Sequence, residues 1–224
     1  MAKLDISTTH ADTIVSEGHE VIIALGGDDT ITARQGDTVL ALRGDNHIDV
    51  MPVASPTGIY DPVTVLAGSG DDVIEKHFVG PAISSHVTAF GGAGDDTFIW
   101  VDVAYGGAGD DTFDTFLGEQ FTGGPGHDTF LAGNPGSPKY HSGGIVTDFG
   151  TEDTLVFGGA HTDWLTAQQV TEGTRIEVGS NWGFTLLGAY DPAGFAITQD
   201  GDNATVHYDP THSASAASTD WPLV

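Results

Sequence analysis

GGAGDDTFI at 91–99 is followed by GGAGDDTFD at 106–114 and by GGPGHDTFL at 123–131. Each copy reads Gly-Gly-x-Gly-x-Asp-x-apolar. Three glycines within four residues allow positive φ and close backbone approach, so carbonyl oxygens can turn toward a common centre. The aspartate adds a short carboxylate beside them, and such an all-oxygen donor set suits a hard cation, Ca²⁺ above all. The apolar residue two places on (Phe98, Phe113, Phe130) resumes a strand and points inward.

Outward from these copies, the residues equivalent to Phe98 are Ile31, Ile48, Ile74, Phe98, Phe113, Phe130 and Leu155, separated by 17, 26, 24, 15, 17 and 25 positions. The short separations predict a coil of two short strands and two turns. Each long one contains a Pro/Gly/Ser-rich stretch, at 51–62, 78–85 and 132–142. We read these as three loops inserted into the coil, with an additional nonapeptide rung as the competing reading. The motif recurs once per coil and not every nine residues. Metal is therefore expected along one edge of the solenoid, as about three to five ions.

The flanks are less regular. ALGGDDTIT at 24–32 keeps Asp28, Asp29 and Ile31 but lacks the leading glycine pair, and LRGDNHID at 42–49 places Asn46 where the aspartate should stand. AGSGDDVIE at 67–75 returns close to consensus. The organisation expected is an N-terminal cap strand region at 1–23, a β-roll with three inserted loops at 24–142, a capping segment at 143–210 and a tail at 211–224. Within the cap, TDWLTAQQV at 162–170 has a helical look, and 174–190 reads as two strands joined by a Gly-Ser-Asn turn.

Composition narrows the function. The chain has 25 Asp and 7 Glu against 6 Lys+Arg, a formal charge of -26. Such a balance opposes binding to nucleic acid or to anionic membranes. The preference for Asp over Glu belongs to turns and compact metal ligands. There is no cysteine, so neither a disulfide framework nor a cysteine zinc site is available. No apolar run approaches transmembrane length, and 1–10 lacks the apolar region of a cleavable signal peptide.

On residues 67–131 above all, and on IVTDFGTEDTLVF at 145–157, the chain resembles the C-terminal calcium-binding region of RTX (hemolysin-type) proteins. The resemblance implies an all-β fold, a right-handed parallel β-roll with calcium in its turns and a small β-rich C-terminal cap. It further implies a secreted, extracellular protein that folds on calcium outside the cell, with type I ABC export machinery as partner. Asp220-Trp221-Pro222-Leu223-Val224 is similar to the family's export ending, apart from the proline. Carried over, the ligand aspartates are Asp72, Asp96, Asp111 and Asp128, with Asp29 in a weaker copy. Gly70, Gly92, Gly94, Gly107, Gly109, Gly124 and Gly126 supply carbonyls. Asp71, Asp95 and Asp110 stand beside the ligands and either bind or add charge. His127 breaks that acidic run.

No catalytic site is expected. There is no zinc-protease helix, no nucleophile elbow and no phosphate loop. Pairs such as Asp95/Asp96 mimic a glycosidase acid and base, but a metal ligand is held ionised and makes a poor general acid. The ten histidines are dispersed; His77 with His86, or His127 with His141, could converge, although turn histidines are the simpler reading. Trp100, Tyr105 and Tyr140 fall off the phenylalanine column and could form a stacking patch. The function expected is a structural or surface-interaction role, with glycan or protein recognition by the inserted loops as the alternative and an uncharacterised hydrolase a less favoured third.

Overall fold

The computed structural model describes residues 3–51, 61–77, 86–115, 120–133, 143–179 and 182–211. Its first three coils are the strand pairs Lys3–Ile6 and Thr13–Val15 (β1, β2), Glu20–Ala24 and Thr30–Ala33 (β3, β4), and Thr38–Ala41 and His47–Val50 (β5, β6). The next three are Val63–Ser69 and Val73–Lys76 (β7, β8), Val87–Ala93 and Thr97–Ile99 (β9, β10), and Val103–Ala108 and Thr112–Thr115 (β11, β12). Gln120–Thr122 and Thr129–Ala132 (β13, β14), then Ile145–Val146 and Thr154–Gly158 (β15, β16), complete the coils. Three further strands, Leu165–Val170, Gly173–Val178 and Trp182–Leu187 (β17–β19), precede Phe195–Asp200 and Asn203–Tyr208 (β20, β21).

Odd strands of the coils stack in parallel in one sheet and even strands in the other. This is the two-sheet roll expected from the sequence. The period-two alternation sets the faces: in β12, Phe113 and Thr115 point inward while Thr112 and Asp114 point out. Ile31, Ile48, Ile74, Phe98, Phe113, Phe130 and Leu155 are consecutive register partners. The spacings of 26, 24 and 25 residues therefore join direct neighbours. That register leaves no place for an additional rung between them.

The core is a narrow double row. Coils that put Phe98 and Phe113 in the second sheet put Ala89 and Ala104 at the buried positions of the first. A large residue faced by a small one keeps the sheet separation even along the roll. Phe98, Phe113 and Phe130 stack with centroids 5.0 and 4.8 Å apart and nearly parallel rings.

At the N-terminus, β1 and β2 form a coil in parallel register with β3 and β4, and β1 and β2 end their respective sheets. The roll also continues past 143, through β15 and β16. Closure then comes from a change of direction. β17–β19 extend the first sheet as an antiparallel meander that joins β15, and β20–β21 extend the second as a hairpin on β16. The helical look of 162–170 is corrected: only Thr162–Trp164 form a 3₁₀ turn, and Leu165–Val170 pair with β18. Cross-strand pairing overrides local propensity there. The two strands expected at 174–190 are β18 and β19, which pair antiparallel.

Candidate metal centre

All the Gly/Asp turns join a first-sheet strand to a second-sheet strand, so they share one edge of the roll. Glycine is required there by contact as well as by conformation. Gly92 and Gly94 have φ of 119° and 128°. A Cβ on either would stand 2.1 Å from a carbonyl oxygen of the preceding coil, that of Gly68 or Gly70. Successive turns thus lie backbone on backbone.

The sixth-position side chains form a continuous ladder. One carboxylate oxygen (Oδ1) of Asp96 accepts from the backbone N–H of Asp72 at 2.9 Å, that of Asp111 from Asp96 at 2.9 Å, and that of Asp128 from Asp111 at 3.0 Å. The ladder continues upward from Asn46 and Asp29 to Asp12, and downward to Asp153. A second ladder runs the other way among the fifth positions. Asp71, Asp95 and Asp110 each accept from the N–H of the following coil at 2.8–2.9 Å, the last from His127. These carboxylates are exposed and fasten the turns to one another.

What separates the ladders is the second oxygen. Oδ2 of Asp29, Asp72, Asp96, Asp111 and Asp128 is buried with no hydrogen-bond partner among the described residues. A buried, unpartnered carboxylate oxygen is costly unless a cation meets it. The surroundings fit one. The point where a Cβ on Gly91 would stand is 2.0 Å from Asp96 Oδ2 and 2.7 Å from the carbonyl oxygen of Gly106. The equivalent point on Gly106 lies 2.0 Å from Asp111 Oδ2 and 2.7 Å from the carbonyl oxygen of Gly123. Carboxylate and carbonyl oxygens therefore converge in a cradle that only glycine leaves open, a donor set of calcium type.

Electrostatics agree with the geometry. Burial, reinforced by neighbouring carboxylates and opposed by the ladder hydrogen bond, pushes Asp96 and Asp111 up to about 7. Asp72 and Asp128 are pushed up to about 6, mainly by burial. Asp29 is raised in the same direction by burial.

Three members of the column are sealed from within, and sequence reading missed how. Asp12 Oδ2 accepts from the N–H and hydroxyl of Thr8, and Asp153 Oδ2 accepts from the N–H of Gly150 at 2.7 Å. Between them, the Asn46 amide donates to the Gly44 carbonyl and to Asp72 Oδ1, both at 2.8 Å. Asn46 looks like a lost ligand in the sequence; in the structure its amide fills the place. The Asp12–Thr8 and Asp153–Gly150 spacings of four and three residues were the available signals.

Other expectations fall differently. His77 turns to Asp49, at 2.9 Å. Tyr105 stacks on Phe90, centroids 4.7 Å apart, on the outer face of the first sheet. Tyr140 and His141 lie outside the described residues, as do most of the inserted stretches and the 212–224 tail.

No curated protein matches the chain at a significant level. The RTX calcium-binding nonapeptide repeat matches it in four copies, over residues 14–48, 87–99 and 101–118. These spans include the turns that carry Asp29, Asp96 and Asp111. The chain carries RTX calcium-binding repeats, and the two-sheet roll is the structure they build.

Proposed function

We propose that this protein is a secreted β-roll that folds when calcium fills the column at Asp29, Asp72, Asp96, Asp111 and Asp128, with Gly70, Gly92, Gly94, Gly107, Gly109, Gly124 and Gly126 lining the turns. The observation that carries the reading is the row of five buried carboxylate oxygens that have no hydrogen-bond partner among the described residues. Without metal the fold must bury those charges, carry a net charge of -26 and order 32 glycines around a narrow core. Calcium binding free energy then becomes folding free energy. With sites of about 10⁻⁴–10⁻³ M, resting cytosol leaves them empty and an extracellular medium fills them. An unfolded chain passes a narrow transporter, which fits export by a type I ABC machinery. No helix among the described residues is long and apolar enough to cross a membrane.

Circular dichroism and hydrodynamic radius during a calcium titration, with magnesium as control, test the switch. A calcium-driven transition from expanded to compact β structure is expected. A chain that stays compact and β-rich in chelator overturns it.

A recognition role is favoured by one further observation. In chain order the stretches at 51–62, 78–85 and 132–142 each follow a second-sheet strand and precede a first-sheet strand, whereas the aspartate turns follow a first-sheet strand and precede a second-sheet strand. Repeat folds commonly bind through insertions gathered on one side. Deleting 134–141 should spare calcium-dependent folding and abolish retention on an array of surface glycans.

A further inference from the structure

On the outer face of the second sheet, starting one residue past Asn46, four metal-binding side chains gather. In β6, Ile48 and Val50 point into the core, so His47 and Asp49 point out. In β8, Ile74 and Lys76 are buried, so Glu75 points out and His77 follows it. The register sets Asp49 directly opposite Glu75. Two carboxylates facing each other across neighbouring strands repel, and in a chain of charge -26 such a pair needs a counter-charge. Among the described residues, the groups within ion-pair distance of them are histidines. His47 Nε2 is 3.3 Å and His77 Nε2 2.9 Å from the same Asp49 oxygen, and His77 Nδ1 is 3.8 Å from Glu75. One ligand atom from each of His47, Asp49 and Glu75 can be chosen so that all lie within 4.8 Å of one another.

We propose that His47, Asp49 and Glu75 form a second metal site, of the nitrogen-and-oxygen class that takes Zn²⁺, with His77 orienting Asp49. One imidazole and two carboxylates suit a borderline divalent ion, which draws its ligands in to about 2.0–2.2 Å. The calcium column is all oxygen; this cluster is not, so the two sites sort ions by chemistry. His77 acts through Asp49: its hydrogen bond fixes which carboxylate oxygen faces the ion, the part commonly played by a metal ligand's outer partner. The ligands lie on a sheet face, His47 exposed and Asp49 and Glu75 partly so, which leaves a fourth position open to water. The roll gives the site its stiffness, because both strands are held in parallel register on either side.

The test is calorimetric titration of the full chain with ZnCl₂ in saturating calcium, alongside visible absorption of bound Co²⁺. The result expected is one equivalent bound with calcium present, and a cobalt spectrum showing nitrogen ligation. His47→Ala and Glu75→Gln should each weaken zinc by more than about 100-fold, and His77→Ala by about 10–100-fold, the usual cost of losing an outer partner. The far-UV spectrum and calcium response should not change in any of them. Glu75→Gln alters the charge without altering the shape, so it decides the matter if His47→Ala fails to fold. Zinc bound equally by wild type and Glu75→Gln, no stoichiometric binding, or zinc displaced by millimolar calcium would each overturn the site.

Discussion

The coil at Asn46 and the coil at Asp111 place the same backbone turn in the same column and neutralise it by different means. At Asn46 the side-chain amide donates to the Gly44 carbonyl and to Asp72, so the rung is complete within the protein. At Asp111 the corresponding oxygen is buried with no hydrogen-bond partner among the described residues, and a glycine carbonyl stands beside the gap. An amide offers two donors where a divalent cation offers two charges. The first rung is permanent; the second depends on what the solvent supplies. The cores differ in the same sense, aliphatic from Ile14 to Ile74 and a phenylalanine stack from Phe98 to Phe130.

The comparison can be broken first at its metal-dependent side. Asp111→Ala removes the unpartnered oxygen and also the acceptor for the Asp96 N–H. The stranded N–H alone costs about 1–3 kcal/mol, before the lost cation is counted. We expect the largest single effect here: one fewer calcium and a folding midpoint moved to higher calcium by tenfold or more, about 1.4 kcal/mol per decade. Calcium counting by mass spectrometry and a circular dichroism titration check both.

Asn46→Asp turns the internal rung into a metal-dependent one. The amide's donors to Gly44 and Asp72 vanish, and two carboxylates then face each other. The metal-free form should lose about 1–3 kcal/mol, and the calcium-loaded form should bind one additional ion. Unchanged stoichiometry would show that the neighbouring coil cannot complete a cage. Asp111→Asn is the converse and the milder change. It should shed one calcium, as alanine does, yet keep a midpoint within a few-fold of wild type, because an amide can reach the oxygens the ion would take.

How much of this could be read in the chain depends on how local each feature is. The Phe98, Phe113 and Phe130 repeats state their period outright, and the sixth-position column follows from it. The Asp71/Asp95/Asp110 ladder is visible as composition but not as a hydrogen-bond direction. The coil of β1 and β2 is hidden because its turn, closed by Thr8 and Asp12, has no glycine pair. Leu165–Val170 is misread because its strand character comes from pairing with β18. The pairing of Asp49 with Glu75 spans 26 residues and an insertion, so only the register reveals it.

The dependence on pH also separates the two kinds of rung. Without metal, burial raises Asp96 and Asp111 from 3.8 to about 7, and Asp72 and Asp128 to about 6. A folded-state value above the unfolded one means that the native chain binds more protons across that window. The metal-free roll is therefore favoured fully below about pH 4, and it loses that stabilisation as pH rises through 6 to 7. Calcium competes with the same protons, so affinity for the ion should move the other way and fall on acidification. In metal-depleted buffer, β content should be greater at pH 5 than at pH 8. In saturating calcium the profile should flatten, because the ion holds the carboxylates ionised. Asp96→Asn should remove its share of the metal-free pH dependence and leave the remainder. Should the metal-free chain instead gain structure on going from pH 5 to pH 8, its buried carboxylates are not the charges that oppose folding, and the contrast between amide and cation rungs fails with them.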